Sequence, residues 1–270
     1  MPCPRRRWVD MTTEDFADPD VTSWVAVLPV AAVEQHGPHL PVGVDAMIGE
    51  GYLARAEALI PDDLPVTFLP MQTIGASAEH LAFAGTLTLS PETVIRAWTE
   101  IGASVARAGV RRLVFLNSHG GNSALLDVIA RSLRVSHGML AVTVSWQRFG
   151  YPEGLFSAQE TRHGIHGGEI ETSLMLAFRP DLPRMAKAAH FRSATYEMER
   201  EFSHLRAGTP AGFGWMSQDL NASGAIGDAA AATEQAGEAA AEFGARAFVE
   251  LLQDVRRFPL ERLAAGPLGR

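Results

Sequence analysis

Short, wholly apolar runs alternate along the chain with longer stretches whose apolar residues recur every three or four positions. Residues 24–33, Trp-Val-Ala-Val-Leu-Pro-Val-Ala-Ala-Val, are apolar throughout, the pattern of a strand covered on both faces. Over 47–60, Ile48, Leu53, Ala56 and Leu59 are spaced to share one face of a helix. Residues 66–70 predict a short strand. Ser90, Pro91 and Glu92 then mark a helix start, because a hydroxyl caps free amides, proline fits the first turn and an acid suits the positive end. That helix is expected to reach about Ala108, burying Val94, Ile95, Trp98, Ile101 and Val105, with Gly109 as its stop. Residues 111–117 predict a strand, 123–135 a helix and 140–145 another strand. Residues 229–252 read as a long terminal helix, since Phe243, Phe248 and Leu251 interrupt the alanines at helical spacing. Apolar strands alternating with amphipathic helices imply an α/β protein with a parallel sheet covered on both faces. No repeat and no Pro/Gly-rich linker divides the chain, so a single domain over 1–270 is expected.

Composition narrows the function. The chain has 270 residues, 47% of them hydrophobic, enough for a sizeable core. A net charge of -8 argues against a nucleic-acid surface, and Arg5-Arg6-Arg7 is too short a cluster to reverse that. The single cysteine, Cys3, excludes an internal disulfide framework and a thiolate metal cage. No apolar run reaches the roughly 18 residues of a membrane span, and no signal peptide precedes the first strand, so a cytoplasmic protein is expected.

The chemistry concentrates where strands end, the side of a parallel sheet on which ligands bind. Glu34 and His36 follow the first apolar run, in Val33-Glu34-Gln35-His36-Gly37-Pro38-His39-Leu40-Pro41. On an extended chain, residues two apart point the same way, aiming a carboxylate and an imidazole together. A buried charge there is costly unless it is paired or bound to a cation. Asp45 completes three ligand-type side chains within twelve residues, a metal site in outline. Asn117-Ser118-His119-Gly120-Gly121-Asn122 presents His119 at a strand tip, with two glycines that permit a tight turn before a helix. His166-Gly167-Gly168-Glu169-Ile170-Glu171 sends two carboxylates into the first turn of an apolar helix. Being two apart on a helix, they face different ways, and Glu171 is favoured as the ligand. A fourth segment, Gly75-Ala76-Ser77-Ala78-Glu79-His80 with Phe83-Ala84-Gly85-Thr86, offers Ser77 and His80 as pocket lining or turn caps.

These segments, in this order, resemble the creatininase family of amidohydrolases. The later Gly214–Asp219 and Ser223–Asp228 stretches are similar to family segments too. The resemblance implies a three-layer α/β/α sandwich, a two-metal centre and hydrolysis of an amide-like C–N bond. It implies that Glu34 and His119 hold one ion, His36 and Glu171 the other, and that Asp45 bridges. Carboxylate and imidazole ligands suit zinc, manganese or iron. Two such ions would acidify a shared water and polarise a carbonyl. His166 or Glu169 would then carry the proton to the leaving nitrogen, and the resemblance favours His166. Ser77, His80, Gly120 and Gly121 are expected to contact substrate.

One departure bears on the substrate. Creatinine-opening members of the family are expected to carry a glutamate two positions after the histidine that is His119 here, and this chain has Gly121. Creatinine is therefore not the expected substrate. Glycine-bearing relatives act on a modified peptide, a formamide or an oxidised inositol, so the alternatives are a cyclic ketone or lactone hydrolase and a metal-binding homologue without turnover. His39 reads as a loop-locking residue, and His137, His190 and His204 as surface residues. No Gly-x-Ser-x-Gly elbow, P-loop lysine or dinucleotide fingerprint is present. Trp215, between Gly212 and Gly214 and the following helix, is a candidate lid residue. The aromatic-rich stretches 146–162 and 191–214, with Phe149, Tyr151, Phe156, Phe202, Phe213 and Met216, suggest a surface covered by neighbouring copies. The resemblance implies a homo-oligomer, with a hexamer favoured.

Overall fold

A computed structural model describes residues 5–264. Four strands form one parallel sheet: β1 (Val25–Val30), β2 (Val66–Phe68), β3 (Arg112–Asn117) and β4 (Leu140–Ser145), in the order β2-β1-β3-β4. Val25 is level with both Val66 and Arg112, and Arg112 with Leu140. At the other end Val30 is level with Asn117 and Asn117 with Ser145, so β1, β3 and β4 end together, and the segments that leave their carboxyl ends meet on one edge. The helices are α1 (Val44–Leu59), α2 (Pro91–Arg107), α3 (Ser123–His137), α4 (Ala158–His163), α5 (Glu169–Phe178), α6 (Thr195–Glu201), α7 (Ser217–Leu220) and α8 (Glu234–Arg257).

Strand alternation divides the core into two slabs. Val25, Val27, Val114 and Leu116 pack with Ile48 and Tyr52 of α1, Leu174 and Met175 of α5, and Phe248 and Leu252 of α8. Their neighbours Ala26, Leu28, Val30, Leu113 and Phe115 point the other way, onto Val94 and Trp98 of α2 and Leu126 and Ile129 of α3. Side chains on a strand alternate faces, so wholly apolar strands give two cores and three layers. Helix ends follow the sequence chemistry. Ser90 Oγ accepts the Thr93 amide at the start of α2, and Gly109 leaves its end at φ +97. No helix among the described residues is long and apolar enough to cross a membrane.

Several expectations are corrected in detail. The first strand ends at Val30, not Val33, and Val33 makes an isolated bridge to Leu87. Glu34 and His36 thus lie in a loop beyond the sheet and not on an extended strand end. Helix α1 begins at Val44, which places Asp45 in its first turn. The terminal helix starts at Glu234 under a Thr233 cap, preceded by a separate turn over Ala229–Ala231. Of the residues that interrupt its alanines, Phe248 is buried and Phe243 is exposed. The stretch 146–162 is not an exposed aromatic surface. Phe156 is buried and Phe149 and Tyr151 pack on the same core, so this chain covers them itself. In the second stretch Phe202 and Phe213 are exposed.

Candidate metal centre

The loop leaving β1 carries Glu34, Gln35 and His36, and Gln35 ties it down. Its backbone amide donates to Thr86 Oγ1 (3.2 Å), and its side-chain nitrogen lies 2.8 Å from His80 Nδ1 and donates to Gly224 O (3.0 Å). Its Oε1 accepts the Gly37 amide (2.9 Å), and its backbone carbonyl accepts from His166 Nε2 (2.5 Å). The loop leaving β3 carries His119, held by Asn117, whose Oδ1 accepts the His119 amide (3.1 Å) and whose Nδ2 donates to Ser145 Oγ (3.0 Å). Helix α1 supplies Asp45 and α5 supplies Glu171. A two-way backbone pairing with Ile226 fixes His166 just before α5.

Three imidazoles are oriented by the same device. His36 Nδ1 donates to Glu34 O (3.0 Å), His119 Nε2 to Ala76 O (2.9 Å) and His166 Nε2 to Gln35 O. With the hydrogen of the outer nitrogen held by a carbonyl acceptor, each ring turns its other nitrogen inward as a lone pair, the form a metal or a proton requires. The inward atoms converge. His36 Nε2 lies 3.5 Å from Asp45 Oδ1 and 3.8 Å from Glu171 Oε2. His119 Nδ1 lies 3.2 Å from Glu34 Oε1 and 3.5 Å from Asp45 Oδ2, and His166 Nδ1 is 3.6 Å from Glu34 Oε1. His80 differs. Its Nδ1 accepts from Gln35, so its Nε2, 3.3 Å from Glu34 Oε1, carries the hydrogen and faces Glu34 as a donor.

Two overlapping triads result, Glu34–Asp45–His119 and His36–Asp45–Glu171, with the ligand atoms of each within 4.8 Å of one another. Glu34, His36 and His166 form a third such group. Both Glu34 oxygens, His36 Nε2 and Asp45 Oδ2 are buried and lack a hydrogen-bond partner. Each buried polar atom without a partner costs about 1–3 kcal/mol. Four of them facing one another around shared space fit cations, and the donor set fits divalent ions of borderline hardness.

The electrostatics carry the same message. Burial works against the Glu34 carboxylate, but His119, His166 and His36 outweigh it and hold its pKa below the usual range. Burial and Glu34 together push Asp45 up. Against burial, Asp45 and Glu171 raise His36 to about 9, and Glu34 and Asp45 raise His119 to about 10. Without cations, protons take their place among these carboxylates. Burial and His36 lower His166 to about 4, leaving it a neutral imidazole at neutral pH.

A cavity of about 330 Å³ opens on the triads, bordered by Glu34, Asp45, His119, His166 and Glu171, with Tyr151 and Trp215 among its walls. His80, Gly120 and Gly121 line it as expected, whereas Ser77 does not and instead backs His119, its Oγ 3.5 Å from Nε2. Glu169, expected as a catalytic proton carrier, borders no part of the cavity, and its charged neighbours are Glu160 and Asp228. At the helical rotation of roughly 100° per residue, Glu169 and Glu171 face nearly opposite ways, and Glu171 has the inward place. His39 is buried and its Nε2 lies 3.0 Å from Thr172 Oγ1, joining the loop to α5. His190 is on the surface but pairs with Asp228 at 3.0 Å. Trp215 is anchored by its Nε1, which donates to Ala207 O (2.8 Å).

Residues the sequence reading passed over also shape the site. Gln35 is the hub of the loop, and its position between two ligand-type residues was the available signal. Glu79 and Glu160 both line the cavity, and burial raises the pKa of each. Glu160 accepts the Glu169 amide (2.7 Å) and the Asp228 amide (2.9 Å). The profile of the creatininase family, described as creatinine amidohydrolase, matches residues 9–252.

The chain belongs to the creatininase family. It is 34% identical over 165 residues to the mycofactocin precursor peptide peptidase of Mycobacterium tuberculosis (strain CDC 1551 / Oshkosh), covering 59% of this chain and 60% of that protein. The chain thus spans about three-fifths of the length of that relative. It is 32% identical over 206 residues to the creatinine amidohydrolase of Pseudomonas putida, covering 69% of this chain and 76% of the other. A solved creatininase, described as its Mn form, superposes with a TM-score of 0.73 at 26% identity, over 92% of this chain and 98% of that one. The parallel sheet between helices is therefore the creatininase fold. Its strand ends carry the triads of this family member, and Gly121 lies in their wall.

Proposed function

We propose that this creatininase-family protein is a dinuclear metal-dependent amidohydrolase that cleaves an amide-like C–N bond in a small molecule or modified peptide. One observation carries the reading: two triads of inward-facing ligand atoms that share Asp45. On this reading Glu34 and His119 would hold one divalent ion and His36 and Glu171 the other, with Asp45 common to both sets. The ions, zinc, manganese or iron, supply Lewis acidity and an acidified water when bound. The chain's own residues do the rest. His166, its Nε2 hydrogen engaged by Gln35 O, presents a bare Nδ1 beside Glu34, placed to accept a proton from the water and return it to the leaving nitrogen. His80 and Gln35 hold Glu34 and His166 in register. The apolar and aromatic walls limit competing water, and His80, Gly120 and Gly121 border the substrate.

Gly121 makes creatinine a poor substrate on this reading, so the peptide-type or another small amide is favoured. We place the enzyme in the cytoplasm as a homo-oligomer, a hexamer favoured. The test is hydrolysis of a panel of small amides, lactams and short peptides by metal-loaded protein. Turnover that stops on chelation, returns with metal and is absent or very slow on creatinine is expected. A fully loaded protein that cleaves no C–N bond would sink the proposal, and efficient creatinine opening would sink its substrate half.

A further inference from the structure

We propose that Glu79 is the specificity-determining carboxylate of this site, standing against Gly121 in the cavity wall and selecting amides that carry an ammonium or similar nitrogen donor. The inference rests on the amidohydrolase reading and names its substrate class. A Cβ on Gly121 would lie 2.5 Å from Glu79 Oε1, 2.5 Å from His119 Nε2 and 2.7 Å from Ala76 O. Position 121 therefore carries no side chain in this arrangement, barred by the His119 ring and the Ala76 carbonyl as well as by Glu79, and the Glu79 carboxylate stands directly against the glycine.

Within the chain this carboxylate is met by its own backbone amide. Its contact with the site is His119 Nε2, at 3.5 Å, beyond a good hydrogen bond. That N–H is already given to Ala76 O at 2.9 Å, so His119 is oriented without Glu79. The other carboxylates of the cavity are committed: Glu34, Asp45 and Glu171 to the triads, and Glu160 to backbone amides. Glu79 is 20% exposed and lines the cavity, and no lysine or arginine is among the described residues that do so. A partly buried acceptor facing a cavity without lysine or arginine gains from a charged N–H donor brought by the ligand.

The experiment uses metal-loaded protein and two isosteric pairs, N-(3-aminopropyl)acetamide with N-butylacetamide and 4-aminobutanamide with pentanamide. Binding is read by calorimetry and hydrolysis by kcat/KM. The ammonium member of at least one pair is expected to bind roughly 10-fold tighter, as for a hydrogen bond to a charged group. Glu79→Gln should abolish that preference through the KM of the ammonium member, with the metal content retained. Absence of a preference in the native protein overturns the proposal, and this arm decides the matter even if Glu79→Gln misfolds. Equal loss on both members, or loss of metal, overturns it too and assigns Glu79 to holding His119. A binding preference without any hydrolysis leaves this inference standing and defeats the amidohydrolase reading alone.

Discussion

Asp45 is the residue on which both triads depend. Its Oδ1 faces His36 and its Oδ2 faces His119, each at 3.5 Å. Asp45→Ala should therefore lower metal content at both positions, while Glu34→Gln and Glu171→Gln should each lower it at one. Elemental analysis of dialysed protein checks this, and full stoichiometry in Asp45→Ala would remove the shared-ligand assignment. Protons compete for the same places. His36 is raised to about 9 and His119 to about 10 in the metal-free chain, above an unfolded value near 6.5. Raised imidazole pKa values stabilise the fold below that unfolded value, and the benefit is lost as pH rises through the folded ones. Metal-free protein should therefore melt at progressively lower temperature between about pH 7 and 10, while metal-loaded protein should not. Metal affinity should rise over the same span as the protons leave. A flat melting profile for the stripped protein would contradict this. The candidate ligands that the fold brings together were legible in sequence because carboxylates and histidines at strand exits and in a helix's first turn stand out from apolar surroundings. Glu79 and Glu160 carry no such mark, since a lone acid in a polar segment looks the same whether it faces solvent or a cavity. Glu169 misled for the opposite reason: the helical period separates it from Glu171 but does not say which of the two faces inward.

Helix α5 is the element that completes the second triad, and its start is held from outside by Glu160. That carboxylate receives the Glu169 and Asp228 amides, and three glycines are packed against it. A Cβ would come within 2.3 Å of Glu160 atoms at Gly164, 2.2 Å at Gly168 and 2.8 Å at Gly227. The crossing of α4, α5 and residues 227–228 is thus built around one acid. Glu160→Ala should leave two part-buried amides without partners, at about 1 kcal/mol each. It should also loosen Glu171, so that the His36–Glu171 ion dissociates before the Glu34–His119 ion. Calorimetric melting and metal titration together read both effects, and a variant with native melting and two equal metal affinities would refute the assignment. Elements with strong periodicity, such as α2 between Ser90 and Gly109, could be read to within a residue or so. The loop 31–43 could not, because its apolar residues Ala31, Ala32 and Val33 continue the strand pattern while their backbone has already left the sheet. Ala31 donates to Gln72 O and Glu34 to Val42 O, pairings set by the fold and invisible to local pattern.

At the scale of the whole molecule, the three-layer arrangement was legible because wholly apolar strands alternating with amphipathic helices have few other solutions. What covers the aromatic-rich stretches was not, since burial by the same chain and by a neighbouring copy demand the same composition. The structure separates them. Phe149 approaches Trp146 and Phe248, and Tyr151 meets Phe156 edge-on, so the first stretch is finished within the chain. In the second, Phe202 is 43% exposed, Leu205 41% and Phe213 38%, and the segment ends at Trp215, a wall of the cavity. Large apolar groups gathered in one exposed segment beside a site mark a surface that a partner covers. A second copy of the chain is the partner that the proposed homo-oligomer supplies, and closed assemblies bury such patches symmetrically. Light scattering at micromolar concentration should then give a mass several times the 29.1 kDa of one chain. The double variant Phe202→Asp and Phe213→Asp should lower that mass and raise KM, because both changes fall in the segment that leads to Trp215 in the cavity wall and leave the triads untouched. A monomer with full activity, or a variant that dissociates without any change in KM, would separate the loop from both assembly and substrate binding.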